Sequence, residues 1–346
     1  MHMADALLAP TVGGAMWLAS GAALVLASRR VQRQPDERLV PLMGMLGAFV
    51  FAAQMINFAI PGTGSSGHLG GGLLLALLLG PWPALVVLAS VLTVQALFFA
   101  DGGLLALGAN IFNLGVLPCL VAFPLVYRPL VGRAPSARRQ AVAVMAAAVA
   151  GLLLGATGVV LQTVGSGISG LSLQAFAWLM LPIHAAIGVV EGLATLALLL
   201  FVQRHRPDLL QAAASTPGRG LRPALLAGAA AAALLGGVGS WFASSAPDGL
   251  EWSVEHAAPG QAVNTPGDAP HTWLARVQQS TALLPDYELP SEPSQTPQPA
   301  GAQPWPAVKV GTTLAGLIGG AATLALVLAV GWALRRQQRL AAQRAG

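Results

Sequence analysis

The chain begins MHMADALL, and its first two residues carry a set of metal donors. The terminal amine of Met1, the backbone amide of residue 2 and the Nδ1 of His2 can close two fused chelate rings on one ion. Three nitrogens held in this way lie nearly in a plane, which suits Ni(II) or Cu(II), with Co(II) also possible. The chemistry requires Met1 to stay. A starting methionine is trimmed when residue 2 is small, and histidine is not small. The first eleven residues also lack the Lys or Arg that opens a secretory signal. A fourth ligand is at hand in His68, the only imidazole of the loop FAIPGTGSSGHLGGG. Its Gly, Ser and Thr residues let a backbone fold closely around a site. Each histidine also has a plainer reading, His2 as an idle exposed residue and His68 as a cap for the helix starting near Leu69.

Other polar residues could support such a site or line a path from it. Asp5 and Asp101 fall in outer segments, and Asn110 and Asn113 lie within an apolar run, where amides bond neighbouring helices or loops. His184 and Glu191 sit seven apart in FAWLMLPIHAAIGVVEGLATLALLL and so share one helical face. An intramembrane carboxylate is costly and faces the bundle interior or a cavity, so this pair reads either as a step in a path or as a buried structural contact. His205 stands among arginines. His256 and His271 could scavenge metal but match no defined spacing. The single Cys119 cannot form an internal disulfide and reads as a small core residue. Lys309 is the only lysine and follows no Gly-rich phosphate loop, which excludes an ATPase; HExxH and GxSxG are absent too.

The elements that must position these residues are membrane helices. Hydrophobic residues make up 55% of the 346 and charged ones 9%, far below the roughly 25% charged of a soluble domain. Apolar runs predict about nine transmembrane helices, at 12–28, 40–59, 69–80, 84–100, 104–126, 140–163, 174–203, 222–242 and 309–334. The pair at 69–80 and 84–100, split by GPWPA, could be one kinked helix. Positive charge decides for two short crossings, because only then do Arg29, Arg30, Arg33 and Arg38 share a side with Arg128, Arg133, Arg138 and Arg139. Arg204, Arg206, Arg219, Arg222, Arg335, Arg336, Arg339 and Arg344 then fall inside as well, leaving Arg276 and Lys309 outside. The expected fold is an all-α polytopic bundle with its amino terminus outside and its carboxyl terminus inside. Residues 1–205 form a seven-helix unit, 206–221 a cytoplasmic linker, and 222–346 a two-helix hairpin. The outer loop of that hairpin, 243–308, is rich in Pro, Ser, Gln and Ala and is expected to be irregular. Small residues recur every fourth position at Gly44, Ala48 and Ala52, and again at Ala15, Ala19 and Ala23. Such stripes fit either a foreign helix or packing within the bundle.

Several blocks together resemble one family. These are the opening MH…AD, QMINFAIPGTGSSGHLGGGLLLALLLGPWPA, VQALFFADGGLLALGANIFNLGV and PIHAAIGVVEGLAT, which are similar to the CbiM/NikM substrate-capture subunits of cobalt and nickel transporters of the energy-coupling-factor (ECF) type. The likeness covers residues 1–205. It implies metal ligation by Met1 through its amine, by His2 through amide and imidazole, and by His68. It also implies separate ATPase (A) subunits and a transmembrane coupling (T) subunit docked on stripes such as Gly44, Ala48 and Ala52. The cargo is Ni(II) or Co(II), with no permanently bound cofactor, and the location is the bacterial inner membrane. Where such proteins often open MHIPDG, this chain has Met3, Ala4 and Ala6 around Asp5. The stretch APDGLEWSVEH resembles the PDGLE domain through Pro247, Asp248, Gly249, Leu250 and Glu251, and marks the hairpin as a fused accessory unit. A metal sensor or store that binds without transport is the alternative; an enzyme built on His184 and Glu191 is a distant third.

Overall fold

The computed structural model describes residues 1–34, 36–210, 220–260, 266–289 and 305–345. Most of the expected linker, including Arg219, and most of the segment LPSEPSQTPQPAGAQPWP lie outside the described residues. After a short 3₁₀ turn at Asp5–Leu7, Pro10 opens helix α1 (Pro10–Gln32) at a position where its missing N–H costs nothing. Helix α2 is Leu39–Gln54. A two-stranded antiparallel hairpin follows, β1 (Phe58–Ile60) and β2 (Ser65–Gly67), pairing Phe58 with Gly67 and Ile60 with Ser65. Then come α3 (Gly72–Leu79), α4 (Pro81–Phe99), α5 (Leu107–Val131), α6 (Ala137–Ser166) and α7 (Leu173–His205). Helix α5 winds more widely over Phe112–Tyr127, around Pro118 and Pro124. The remaining helices are α8 (Leu221–Gly237), α9 (Gly249–Ala257), α10 (Ala269–Thr281) and α11 (Val310–Ala345).

Among the described residues, α1, α4, α5, α6, α7 and α11 are long and apolar enough to cross a membrane, while α2 and α8 are shorter apolar helices. The third expected span differs. Helix α3 has eight residues, a rise of about 12 Å against a hydrocarbon core of about 30 Å. The helix cannot start earlier because Gly71 has φ +75 and the N–H groups of Gly70 and Gly71 are bonded by the Glu191 carboxylate at 2.8 and 3.1 Å. The preceding loop, carrying His68, is thereby buried in the bundle. Irregular backbone at this depth is tolerated where protein surrounds it.

Two further expectations are corrected. The outer segment 243–308 is not irregular throughout, since its described residues carry α9 and α10. Asp248 caps α9 through a complete capping box with Glu251, and Asp268 caps α10 by accepting from the His271 N–H. The segment does lack apolar residues for a core of its own, but it uses the bundle as its core. Leu250 and Ser253 are buried as α9 packs on α7, and Gln278 donates to the carbonyls of Ala96 and Gly102 at 2.9 and 2.7 Å. The stripe Gly44, Ala48, Ala52 is likewise covered by the chain's own hairpin. A Cβ on Gly44 would reach the Leu324 and Leu328 side chains, and Ala48 and Ala52 pack with Ala232. Ala15 and Ala19 on α1 stay exposed.

Within the hairpin, α8 and α11 meet at Gly236 and Gly316, where a Cβ on Gly316 would run into the Gly236 backbone. Backbone cannot yield as a flexible side chain does, so Gly316→Leu is expected to spread the helices and cost about 1–3 kcal/mol. A lowered thermal midpoint of the purified chain in detergent checks this; an unchanged midpoint would show that the crossing is slack.

Candidate metal centre

The amino-terminal segment enters the bundle as extended backbone. Met1 and Met3 are buried, and the Met3 backbone is held at both its N–H and its carbonyl. Asn110 clamps Met3 on both sides, its Oδ1 accepting from the Met3 N–H at 2.8 Å and its Nδ2 donating to the Met3 carbonyl at 3.2 Å. Gly103 also donates to that carbonyl at 2.9 Å, and the Asp5 Oδ1 accepts from the Ala106 N–H at 2.9 Å. Asn113 bonds Gln162 at 2.7 Å and touches the Met3 Sδ at 3.8 Å. Burial raises the Asp5 carboxyl pKa, with its backbone donors and His271 opposing the shift.

These clamps bring the Met1 nitrogen to 3.1 Å from the Nε2 of His68. The Nδ1 of His68 lies 3.1 Å from the Leu69 carbonyl. A carbonyl only accepts, so Nδ1 carries the hydrogen and Nε2 turns its lone pair toward the amine. Burial first, and then the neighbouring terminal ammonium and His2, lower the His68 pKa to about 3, with Asp248 opposing. Its ring is therefore neutral and able to ligate. The His2 ring stands beside it, with centroids 5.0 Å apart. Met1, His2 and His68 are thus together. The His2 contacts differ from the expected chelate in one respect: Nδ1 is paired with Asp101 Oδ1 at 2.6 Å, and Nε2 is the buried nitrogen without a partner. Closing the fused rings through Nδ1 requires exchange of that Asp101 contact.

Asp248 stands at this centre, where sequence reasoning did not put it. Its Oδ2 lies 2.6 Å from the Met1 nitrogen, while its Oδ1 accepts from the N–H groups of Leu250 and Glu251, both at 2.8 Å. Burial pushes this carboxyl up, but the terminal ammonium and these donors outweigh it and hold the pKa well below the ordinary range. Its segment is locked to the His68 loop, because Ser66 donates from N to the Pro247 carbonyl at 2.8 Å and from Oγ to Ala246 at 2.7 Å. The D-x-x-E spacing of a helix cap was readable; its contact with residue 1 was not. Tyr287 was missed too, and its hydroxyl donates to Asp101 Oδ2 at 2.5 Å. Burial raises the Asp101 pKa, but His2 and Tyr287 bring it below normal on balance.

His184 and Glu191 are both buried on one face of α7, but they act apart. Glu191 holds Gly70 and Gly71, and the Nδ1 of His184 bonds the Met180 carbonyl at 2.8 Å. Next to His2 and His68 lies an open cavity of about 430 Å³, walled by Asp101, Asp248, Glu251 and Asp286. Among the described residues no three His, Cys, Asp or Glu side chains are grouped to hold an ion. A site built on two imidazoles therefore needs main-chain nitrogen, which the buried Met1 end supplies.

The profile of the cobalt uptake substrate-specific transmembrane region matches residues 2–209. The chain belongs to this family. Residues 222–336 match the PDGLE domain. A protein of Archaeoglobus fulgidus, named as a fused nickel transport protein NikMN, is 33% identical over 99% of this chain and 100% of its own length. The fused nickel transport protein NikMN of Rhodobacter capsulatus is 30% identical, covering 83% and 88%. The cobalt transport protein CbiM of Geobacter sulfurreducens is 33% identical over 65% and 66%. A crystal structure of a transition metal transporter is 28% identical over 59% of this chain and 93% of that one, with a TM-score of 0.49. The chain is a multi-pass membrane protein of a nickel and cobalt transport family.

His271, expected at most to scavenge metal, instead ties α10 to the amino-terminal segment of this CbiM-family protein. It is fully buried, with Nε2 donating to the carbonyls of Asp5 and Leu8 at 3.1 and 3.0 Å and Nδ1 paired with Asp268 at 2.6 Å. Burial lowers its pKa, but Asp268 and the two carbonyls outweigh this and raise it overall. A raised folded value means that the stabilisation is full below the unfolded value of about 6.5 and fades as pH climbs through the folded one. The difference in thermal midpoint between wild type and His271→Leu is therefore expected to be widest below about pH 6.5 and to shrink at higher pH. A gap that widened with pH would contradict a doubly donating imidazolium.

Proposed function

We propose that this chain is the substrate-capture subunit of an ECF-type importer for Ni(II) or Co(II) in the bacterial inner membrane. The ion is bound by the Met1 amine, the amide and imidazole of His2, and the Nε2 of His68. The observation that carries this reading is the 3.1 Å approach of the Met1 nitrogen to a neutral, correctly tautomerised His68, with the His2 ring alongside. Main-chain nitrogen with imidazole favours square-planar ions, and the Irving–Williams order ranks Ni(II) above Co(II) at such a donor set. The relatives named as nickel transport proteins agree with that ranking.

The accessory unit contributes to the same site. Asp248 keeps the amine in register while no ion is bound, and the acidic cavity beside His2 attracts a hydrated dication toward the donors. The arginine clusters support an outer amino terminus and an inner carboxyl terminus. The energy source is external: ATPase subunits work through a membrane coupling subunit, for which the exposed Ala15 and Ala19 face of α1 is the available small-residue surface. The capture chain itself is not an enzyme.

Adding one residue before Met1 moves the amine by about 3.5 Å along the chain and leaves an ordinary amide in its place. That extension, His2→Phe (a large residue that keeps Met1 in place) and His68→Ala are each expected to lower Ni(II) affinity of the purified chain by at least about tenfold, a change of about 1.4 kcal/mol. Competitive titration with a chromogenic chelator reads the change. Affinity unchanged in the extended protein would remove the amine from the ligand set.

A further inference from the structure

The polar group that this reading leaves unused is His184. It is 1% exposed, and its Nε2 is buried with no hydrogen-bond partner. Its Nδ1 lies 2.8 Å from the Met180 carbonyl, so Nδ1 carries the hydrogen and Nε2 presents a lone pair. His68 is prepared in the same manner by the Leu69 carbonyl. Fixing one ring nitrogen on a carbonyl so that the other is aimed is how proteins orient imidazoles toward metals. A buried histidine with a purely structural role would normally use both nitrogens, as His271 does here.

Both imidazoles border one place. His68 and His184 line the same narrow cavity with Met1 and Asp248, and its volume of about 10 Å³ has room for about one water or ion. The rest of the lining is Gly67, Gly70 and Gly249 with the apolar Leu114, Leu152 and Ile187, which have no polar side chain to offer. Gly249 of the PDGLE motif comes closest, since a Cβ there would lie 3.1 Å from His184 Cε1. The accessory unit therefore roofs the cavity at a position where only glycine fits without a shift. Leu114, Leu152 and His184 belong to α5, α6 and α7, so this cavity lies on the bundle side of the capture site, whereas the acidic cavity lies on its open side.

We propose that His184 Nε2 is the ligand of a second metal station, which takes Ni(II) or Co(II) from the Met1–His2 chelate while His68 Nε2 stays bound to the ion. The inference rests on the capture reading above. The step is ligand exchange at constant oxidation state. Bonds from the ion to the amine and to the two His2 nitrogens break as bonds to His184 Nε2 and to two water-derived oxygens form. One water, entering from the open acidic cavity, gives a proton to the His2 amide and stays on the ion as hydroxide, and a second water takes the place of the amine. Displacing an ion from a planar chelate needs an incoming donor close by, and His184 Nε2 is the buried lone pair available at this cavity.

Co(II) titration of the purified full chain in detergent tests this on wild type, His2→Phe and the double variant His2→Phe/His184→Phe; phenylalanine at position 2 is large and keeps Met1 in place. His2→Phe is expected to lower affinity by at least about tenfold and to leave weaker residual binding. In the double variant the residual affinity should fall by about a further tenfold or more. An unchanged residual affinity in the double variant, or no residual binding in His2→Phe, overturns the second station. Unchanged affinity of His2→Phe overturns the capture reading instead. Should the double variant fail to fold, X-ray absorption at the cobalt edge of the loaded His2→Phe protein decides: two imidazoles on the ion support the station, and one overturns it.

Discussion

A charge from residue 1 is buried against a carboxylate from residue 248. Removing an ammonium and a carboxylate from water costs several kcal/mol per ion unless good geometry and further hydrogen bonds compensate. Here the compensation is complete on the acid side, where Asp248 gives one oxygen to the amine and the other to two N–H groups of its own helix. Neither partner is satisfied alone. Without α9 the amine would face only an imidazole, and without the amine Asp248 would be a charged helix cap turned toward a membrane bundle. This mutual need explains why the amino-terminal bundle and the hairpin meet at this point and why the PDGLE segment is stitched to the His68 loop through Ser66.

The same constraint shapes the backbone around it. An extended chain end and an irregular loop both reach into a helical bundle, where each unpaired amide would be expensive. Asn110 satisfies Met3 from both sides and Glu191 takes the two N–H groups that α3 leaves open. Gln54 and Gln95 extend that support to the Gly70 carbonyl. Asn110, Glu191 and Gln54 thus hold main chain, which leaves the chain end and the imidazoles of His2, His68 and His184 as the donors at this end of the bundle. The carboxylates nearest these donors hold the amine and the His2 ring.

The sequence made the periodic parts legible. Apolar runs and arginine clusters located the long helices, and GPWPA located the break at Gly80. The family blocks pointed to Met1, His2 and His68, which the fold brings together. What could not be read depends on contacts between distant residues. Helix α3 is short because of Glu191, 120 residues away. Helices α9 and α10 form because the bundle supplies the apolar partner that their own composition lacks. The Gly44, Ala48, Ala52 stripe announces a close helix approach without naming the helix, and α8 and α11 of the same chain fill it. His2 Nδ1 faces Asp101 for a similar reason, since no spacing in the sequence foretells which nitrogen of a ring a distant carboxylate takes.

Covalent linkage of the two units bears directly on how the amine can change partners. An ion that takes up the Met1 nitrogen must displace Asp248, and in a separate accessory subunit that loss could release the partner altogether. In this chain the hairpin is held by the α2 seam, where Gly44 and Gly47 meet Leu324, Leu328 and Val327, and by the Ser66 bonds to Ala246 and Pro247. None of these contacts involves the amine or the Asp248 carboxylate. Because tethering makes re-encounter intramolecular, at effective concentrations in the millimolar range for short flexible linkers, the Asp248 carboxylate can be lost and recovered while its helix stays in place. The exchange is then confined to two carboxylates, Asp248 at the amine and Asp101 at the His2 ring, and one chain end, between a bundle and a hairpin whose seam stays closed.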